Sequence, residues 1–325
     1  MKTLVTGAPG WLGTRLVEVL REKNYDVHCL VLKGMDTSSL EKLPLKLFEG
    51  NITDKSSLLN ATKNIDTIVH CAGIIHPKKI KDFFSINTRG TKNLLEAAVS
   101  NNVKKFIYVS SNSAQGTNIN RETLMTEYMP CNPYMFYGQS KFLAEQIVNE
   151  FYLKHNIDTV IIRPCWYYGP RQPERQTKLM NMIKSGHPMI FGDGKNLRSM
   201  SYIDNVIDGI LLAISKENAI GKTYWIADER PYTTLEIYEA IAEALGVNLK
   251  PRFVPGIISS TLKRLDAFLQ RMNIYSMNIH VGGEMIQNIA CSIERAKKEL
   301  GYKPKIGLKE GMHKSVEWAK ENGLL

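Results

Sequence analysis

The chain has no closely spaced cysteine pair: Cys29, Cys71, Cys131, Cys165 and Cys291 are odd in number and never in CxxC spacing. That scarcity excludes a disulfide framework and a four-cysteine zinc site, and it reads as reduced thiols. The acceptor-like triplets at Asn51 and Asn60 then carry no glycosylation meaning. The seven histidines include no HxxxH or HExxH pattern, so no metal is expected. Long hydrophobic runs are missing too, which excludes a membrane-spanning helix. The first residues lack the basic and apolar regions of a secretion signal, and the expected location is cytoplasmic. There is no internal repeat and no low-complexity tract.

What is present is a chain of 325 residues, 43% hydrophobic and 23% charged, long enough for one large core or two smaller ones. The formal charge of +10 invites a polyanion, an anionic membrane surface or a phosphate-bearing small molecule. Lysine and arginine are spread in ones and twos without interleaved aromatics, a pattern that disfavours nucleic acid.

Short β-branched runs alternate with helix-period segments through the first half. Strands are predicted at 2–6, 26–32, 45–50, 66–71, 104–110 and 158–163, with helices at 11–23, 54–63, 81–100 and 134–155. This is the rhythm of an α/β doubly wound parallel sheet. From Pro164 the rhythm breaks at clusters of Pro and Gly. A dinucleotide-binding domain is therefore expected over 1–163, with return segments near 201–227, and a smaller, mainly substrate-binding C-terminal domain over 164–325. Residues 221–228 read as one more strand, and Thr233 with Glu236 as a capping box for a helix through Leu245.

TGAPGWLG at 6–13 sets Gly7, Gly10 and Gly13, with Trp11 and Leu12 between them, where the first strand meets the first helix. Glycine there permits a tight turn and close approach of backbone N–H groups to a pyrophosphate. At the end of the second strand, where an acid would bind a ribose 2′-hydroxyl, stand Val31, Leu32 and Lys33. NADP is favoured over NAD, with Lys33 as the phosphate partner; the alternative is that Lys33 is a solvated loop residue and Asp36 or the backbone serves NAD.

With 14 tyrosines in the chain, about one Tyr-x-x-x-Lys pair is expected by chance, so YGQSK at 137–141 rests on context. On a helix, residues four apart share a face, which brings Lys141 near Tyr137. The cation is expected to pull the phenol pKa down toward operating pH, as a general acid/base requires. Tyr134 has only Gly138 at the matching position. Ser111, just past the fifth strand, is the candidate to hydrogen-bond the reacting oxygen.

In order, TGAPGWLG, INTRGTKNLLEAA (86–98), YVSSNSAQG (108–116), YGQSK, IIRPCWYYGPRQ (161–172) and FGDGKNLRSMSYIDNV (191–206) resemble the blocks of the extended short-chain dehydrogenase/reductases, the NAD(P)-dependent epimerase/dehydratase family with a Rossmann fold. The resemblance implies catalytic roles for Ser111, Tyr137 and Lys141. It also implies a nicotinamide ribose on Lys141, Pro164 beside the nicotinamide, Asn51 and Ile52 facing the adenine, and Cys71, Ala72 and Gly73 lining the cofactor. Asn51 stands where the family has Asp.

Asn112 and Ser113 replace the Asp and Glu of the family's dehydratases, leaving oxidation, reduction or epimerisation, with Ser113 among the substrate contacts. GPRQ (169–172) and GDGKNLR (192–198) resemble nucleotide-sugar members, which places Arg198 and Arg171 on a diphosphate; the plain alternative makes both surface charges. Tyr168 either lines the substrate pocket or fills core. The leading expectation is an epimerase or reductase of a sugar nucleotide. The alternatives are a dehydrogenase of a sterol-like or other apolar alcohol, and a catalytically silent NAD(P)-binding regulator.

Apolar residues Ile258, Leu262, Leu265, Leu269 and Met272 recur at helical spacing beside Lys263, Arg264 and Arg271. Packing within the substrate domain is expected there rather than an interfacial membrane helix. By analogy with the family, the helices near 83–100 and 137–153 are expected to form a homodimer.

Overall fold

The computed structural model describes residues 1–325. Seven parallel strands make the main sheet, in the order β11-β6-β5-β4-β1-β2-β3. They are β1 (Lys2–Thr6), β2 (Asp26–Val31), β3 (Lys46–Glu49), β4 (Thr67–His70), β5 (Lys105–Val109), β6 (Asp158–Pro164) and β11 (Lys222–Ile226). All seven were expected from their apolar runs, with ends that agree to within two residues.

The chain runs outward from β1 to β3, then crosses back to place β4 on the other side of β1. That reversal opens a crevice at the C-terminal ends of β1 and β4, the usual ligand position in an open parallel sheet. The first helix, α1 (Trp11–Glu22), starts at this crevice; α2 (Ser38–Glu41) and α3 (Lys55–Ala61) follow on the outer side.

Period-two alternation assigns the two faces of the sheet. On β5, Ile107 and Val109 join Val5, Leu16 and Trp225 in one core, while Phe106 and Tyr108 join Leu4 and Ala144 in the other. The second core lies beneath α4 (Thr91–Ser100), which a π-helical segment Phe83–Gly90 precedes, and α5 (Met135–Lys154).

Past β6 come β7 (Trp166–Tyr168), α6 (Glu174–Lys184), β8 (Met189–Phe191), β9 (Leu197–Arg198), β10 (Met200–Tyr202) and α7 (Ile203–Ser215). After β11 come β12 (Tyr232–Thr233), α8 (Thr234–Leu245), β13 (Arg252–Val254), α9 (Gly256–Arg271), α10 (Met277–Glu284) and α11 (Leu308–Glu321). Both halves of the Thr233–Glu236 capping box form at the start of α8. A third core joins Tyr168, Met180, Ile237, Ile241 and Met312.

Helix α9 reverses the expected packing. Its buried side chains are Ser259, Asp266 and Gln270, and Ile258, Leu265 and Met272 face outward. Of the five apolar residues expected to pack inward, Leu262 and Leu269 are half-buried, Leu262 lying against Gly282, and the other three mark the outer face.

Candidate active site

The glycine loop after β1 is shaped by close contacts. Gly7 has φ +87°, and a Cβ there would meet the Cys71–Ala72 backbone at 2.7 Å; one on Gly13 would meet the Gly7 oxygen at 2.5 Å. No side chain caps α1, whose N-cap is Gly10, so its first amides stay available to an anion. Trp11 donates its indole N–H to the Pro170 oxygen at 2.7 Å and meets Tyr167 edge-on, fixing the loop against β7. Leu12 is buried in the core beneath the loop. This cradle fits a dinucleotide pyrophosphate.

Around it, Cys71, Ala72 and Gly73 leave the end of β4, and Ala72 donates to Thr6 Oγ1 at 3.2 Å. The wall continues through His70. Thr91 Oγ1 donates to the Asn87 oxygen at 2.6 Å and so accepts from His70 Nε2–H at 2.9 Å. That leaves His70 Nδ1 to accept the Thr6 hydroxyl at 2.7 Å. Burial lowers the His70 pKa to about 3, so the ring is neutral. Asn87 in turn brackets Ile74 through both its amide groups and donates to Ser140 at 3.0 Å.

Lys33 is exposed beyond β2. Asn51 is exposed, its side-chain oxygen accepting from Thr53, while Ile52 is buried with its side chain against Gly90. Pro164 is buried at the C-terminal end of β6.

Ser111 and Tyr137 converge at the C-terminal edge of the sheet. Ser111 Oγ accepts the Ser113 amide at 3.2 Å and donates to Asn112 Oδ1 at 3.4 Å, and it lies near enough to Tyr137 to oppose in part the rise that burial gives the phenol pKa. Ser113 is buried beside them, its carbonyl accepting the Tyr134 amide. Lys141 does not act on the phenol as the spacing suggested. Its ammonium donates to the Val109 oxygen at 2.9 Å and lies 4.8 Å from the centre of the Tyr108 ring. Burial raises the Tyr137 pKa, and the charge that lowers it comes from Arg175. Burial also lowers Lys141 to about 8. A methyl on Gly73 would lie 3.6 Å from the Lys141 nitrogen, which places the ammonium beside the loop that leaves β4.

Beneath the site, Arg163 and Glu145 form a buried ion pair at 2.6 Å, and the same carboxylate accepts from Ser110. The pair locks α5 to β5 and β6 directly behind Ser111.

The proposed substrate residues separate. Arg198 is 8% exposed; its guanidinium donates to the Glu284 oxygen at 2.6 Å and stacks over Trp166. Burial lowers the Arg198 pKa and the nearby Glu284 carboxylate opposes that shift; the Tyr134 and Tyr238 phenols also lie nearby, and both hydroxyls are buried without a partner. Tyr168 is core: burial and its 2.6 Å hydrogen bond to Asp228 take it out of the site. Arg171 pairs with Glu18 on α1 and rims an open depression of about 530 Å³ with Trp11 and Lys42, away from the Tyr137 cluster.

Three residues near Tyr137 had no sequence signal. Arg175 donates to His76 Nε2 at 3.3 Å, so His76 Nδ1–H donates to Tyr275 at 2.6 Å. Tyr275 packs edge-on against Phe83, which also packs on Tyr137. These residues come from α6, the loop after β4 and the α9–α10 connection, which only the tertiary fold unites.

The fold and this crevice define a dinucleotide-dependent enzyme. Residues 3–227 match the model of the NAD dependent epimerase/dehydratase family, and the chain belongs to that family. It is 41% identical to an uncharacterized protein, y4nL, of Sinorhizobium fredii, over 98% of this chain and 95% of that one. It is 27% identical to the human sterol-4-alpha-carboxylate 3-dehydrogenase, decarboxylating, over 96% of this chain and 87% of the relative. It is also 27% identical to UDP-glucose 4-epimerase of Vibrio cholerae, over 97% and 94%. The solved structure of UDP-glucose 4-epimerase from Thermotoga maritima shares the fold, with a TM-score of 0.79 at 23% identity over 99% of both chains.

Proposed function

We propose that the protein interconverts a secondary alcohol and a ketone on a sugar nucleotide, as an epimerase or reductase using NAD(P). The carrying observation is the convergence of Ser111 and Tyr137 beside the glycine cradle. The bound nicotinamide supplies or accepts a hydride at the carbon bearing the substrate oxygen. Tyr137 Oη takes or returns the hydroxyl proton, Ser111 Oγ hydrogen-bonds the same oxygen, and Lys141 holds the ribose. Gly7, Gly10 and Gly13 cradle the pyrophosphate.

Arg198 supports the diphosphate part of this reading: it is a buried cation with a carbonyl partner, flanked by two phenols that lack one. The kinship with UDP-glucose 4-epimerase points the same way. NADP is assigned over NAD because no acid follows β2 before Asp36, which is engaged with the Ser38 amide. Lys33→Glu is expected to weaken NADP by about tenfold and spare NAD in calorimetry; equal loss for both cofactors contradicts the assignment. We also propose a homodimer through α4 and α5.

A second reading, a dehydrogenase of an apolar alcohol, draws on the aromatic wall of Phe83, Tyr167 and Tyr275 near Tyr137. The kinship with the sterol-carboxylate dehydrogenase supports it, and Arg175 would then meet an acidic group on the substrate. Turnover separates the epimerase from the dehydrogenase, and a reductase would consume NAD(P)H in proportion to product, the opposite sign. An epimerase leaves the cofactor unchanged after many cycles, whereas a dehydrogenase accumulates NAD(P)H absorbance in proportion to product.

A further inference from the structure

Helix α9 is amphipathic with its polarity inverted. Its outward stripe, Ile257, Leu265, Phe268 and Met272, is 41–68% exposed and recurs at three- to four-residue helical spacing when Thr261 is included. Ile274 and Val281 continue the exposed apolar surface along the connection and α10.

The inward side is a polar seam. Ser259 donates to the Gly282 oxygen at 2.6 Å, Asp266 holds His280 at 2.7 Å, and Gln270 donates to Asp266. A Cβ on Gly283 would meet Lys263 at 2.8 Å, so the two helices touch backbone to backbone. Gln270 also accepts the Phe136 amide at 3.2 Å, tying the hairpin to the start of α5. The hairpin is therefore held by hydrogen bonds, close backbone contact and Leu262 packed on Gly282, and the apolar side chains of its outer stripe are left for something else to cover.

Charge indicates what covers them. From Val247 to Gly283 the sole acid is Asp266, which is buried, whereas Lys250, Arg252, Arg264 and Arg271 are exposed. An apolar crest flanked by arginines suits the headgroup and acyl boundary of an anionic bilayer. A two-fold contact between copies would set the arginines of one face against those of the other, which is unfavourable. No helix is long and apolar enough to cross a membrane, so the attachment is a surface one.

We propose that the outer face of the α9–α10 hairpin docks on an anionic lipid bilayer. The hairpin is joined to the active site, because Tyr275 between the two helices reaches His76 and packs on Phe83, the neighbour of Tyr137. Vesicle capture reports on this face whichever alcohol the active site takes.

The test is flotation of the full chain with vesicles of phosphatidylcholine alone or with about one-third phosphatidylglycerol, at low and high salt. The protein should float with the anionic vesicles and be released by salt. Phe268→Glu should abolish capture, and Arg264→Gln with Arg271→Gln should weaken partitioning by on the order of tenfold or more. These side chains point outward, so thermal unfolding of the variants should match the parent and rule out misfolding. Equal capture by neutral vesicles, or equal capture of Phe268→Glu and the parent, overturns the proposal. So does an assembly in light scattering that Phe268→Glu dissociates while no vesicle binds, since the face would then belong to a second copy.

Discussion

The Lys141 ammonium donates to the carbonyl oxygen of Val109 at 2.9 Å, joining α5 to the end of β5 one residue before Ser110 and two before Ser111. The lysine thus holds the strand that presents Ser111, with its nitrogen close to Gly73 at the end of β4. Its influence on Tyr137 is one of position.

Lys141 carries a pH signature. Burial lowers its pKa to about 8, so the free protein loses this charge above that pH. Affinity for the cofactor, measured by NAD(P)H fluorescence titration, should fall by about tenfold between about pH 7.5 and about pH 9.5. Lys141→Met should bind more weakly and lose that dependence. A parent titration that is flat with pH would contradict the role.

His70 should contribute to acid sensitivity, together with His76, which burial lowers to about 4. The folded pKa of His70, near 3, lies below the unfolded value of about 6.5, so the unfolded chain binds the proton first. The stability contributed by the neutral ring is complete above pH 6.5 and is lost as pH falls toward 3. Denaturant unfolding should show a slope of about 1.4 kcal/mol per pH unit from this group within that window. His70→Gln should lower the slope by this amount, leaving the share of His76 above about pH 4, whatever its effect on stability at neutral pH.

The substrate diphosphate should depend on Arg198. Arg198→Ala should weaken a nucleotide-sugar ligand by about 2 kcal/mol or more in calorimetry. Tyr238→Phe removes a buried hydroxyl that has no partner, so the free protein should keep or gain stability, by about 1 kcal/mol, while ligand affinity drops. Unchanged affinity in both variants would favour the apolar-alcohol reading.

Much of the frame was legible from periodicity. The strand at 104–110 is apolar on both faces because helices cover both sides, and that is why β5 stood out. The glycine loop was legible because its turn and close contacts admit no side chain at Gly7 or Gly13. The Tyr137 pKa was misjudged: helical spacing brings a lysine close, but which acceptor takes its protons depends on the Val109 carbonyl, 32 residues away. Tyr168 stood among the aromatics after Pro164, and only the contact with Asp228, 60 residues on, makes it core. Arg175, His76 and Tyr275 belong to three separate segments and share no local pattern. The periodicity of α9 marked an apolar face without saying whether protein or solvent lay against it.

The most direct test of the central claim is Tyr137→Phe, assayed for turnover and for cofactor affinity together. The account predicts a kcat lower by about a hundredfold to ten-thousandfold with NAD(P) binding retained. Turnover equal to that of the unmodified protein would contradict it.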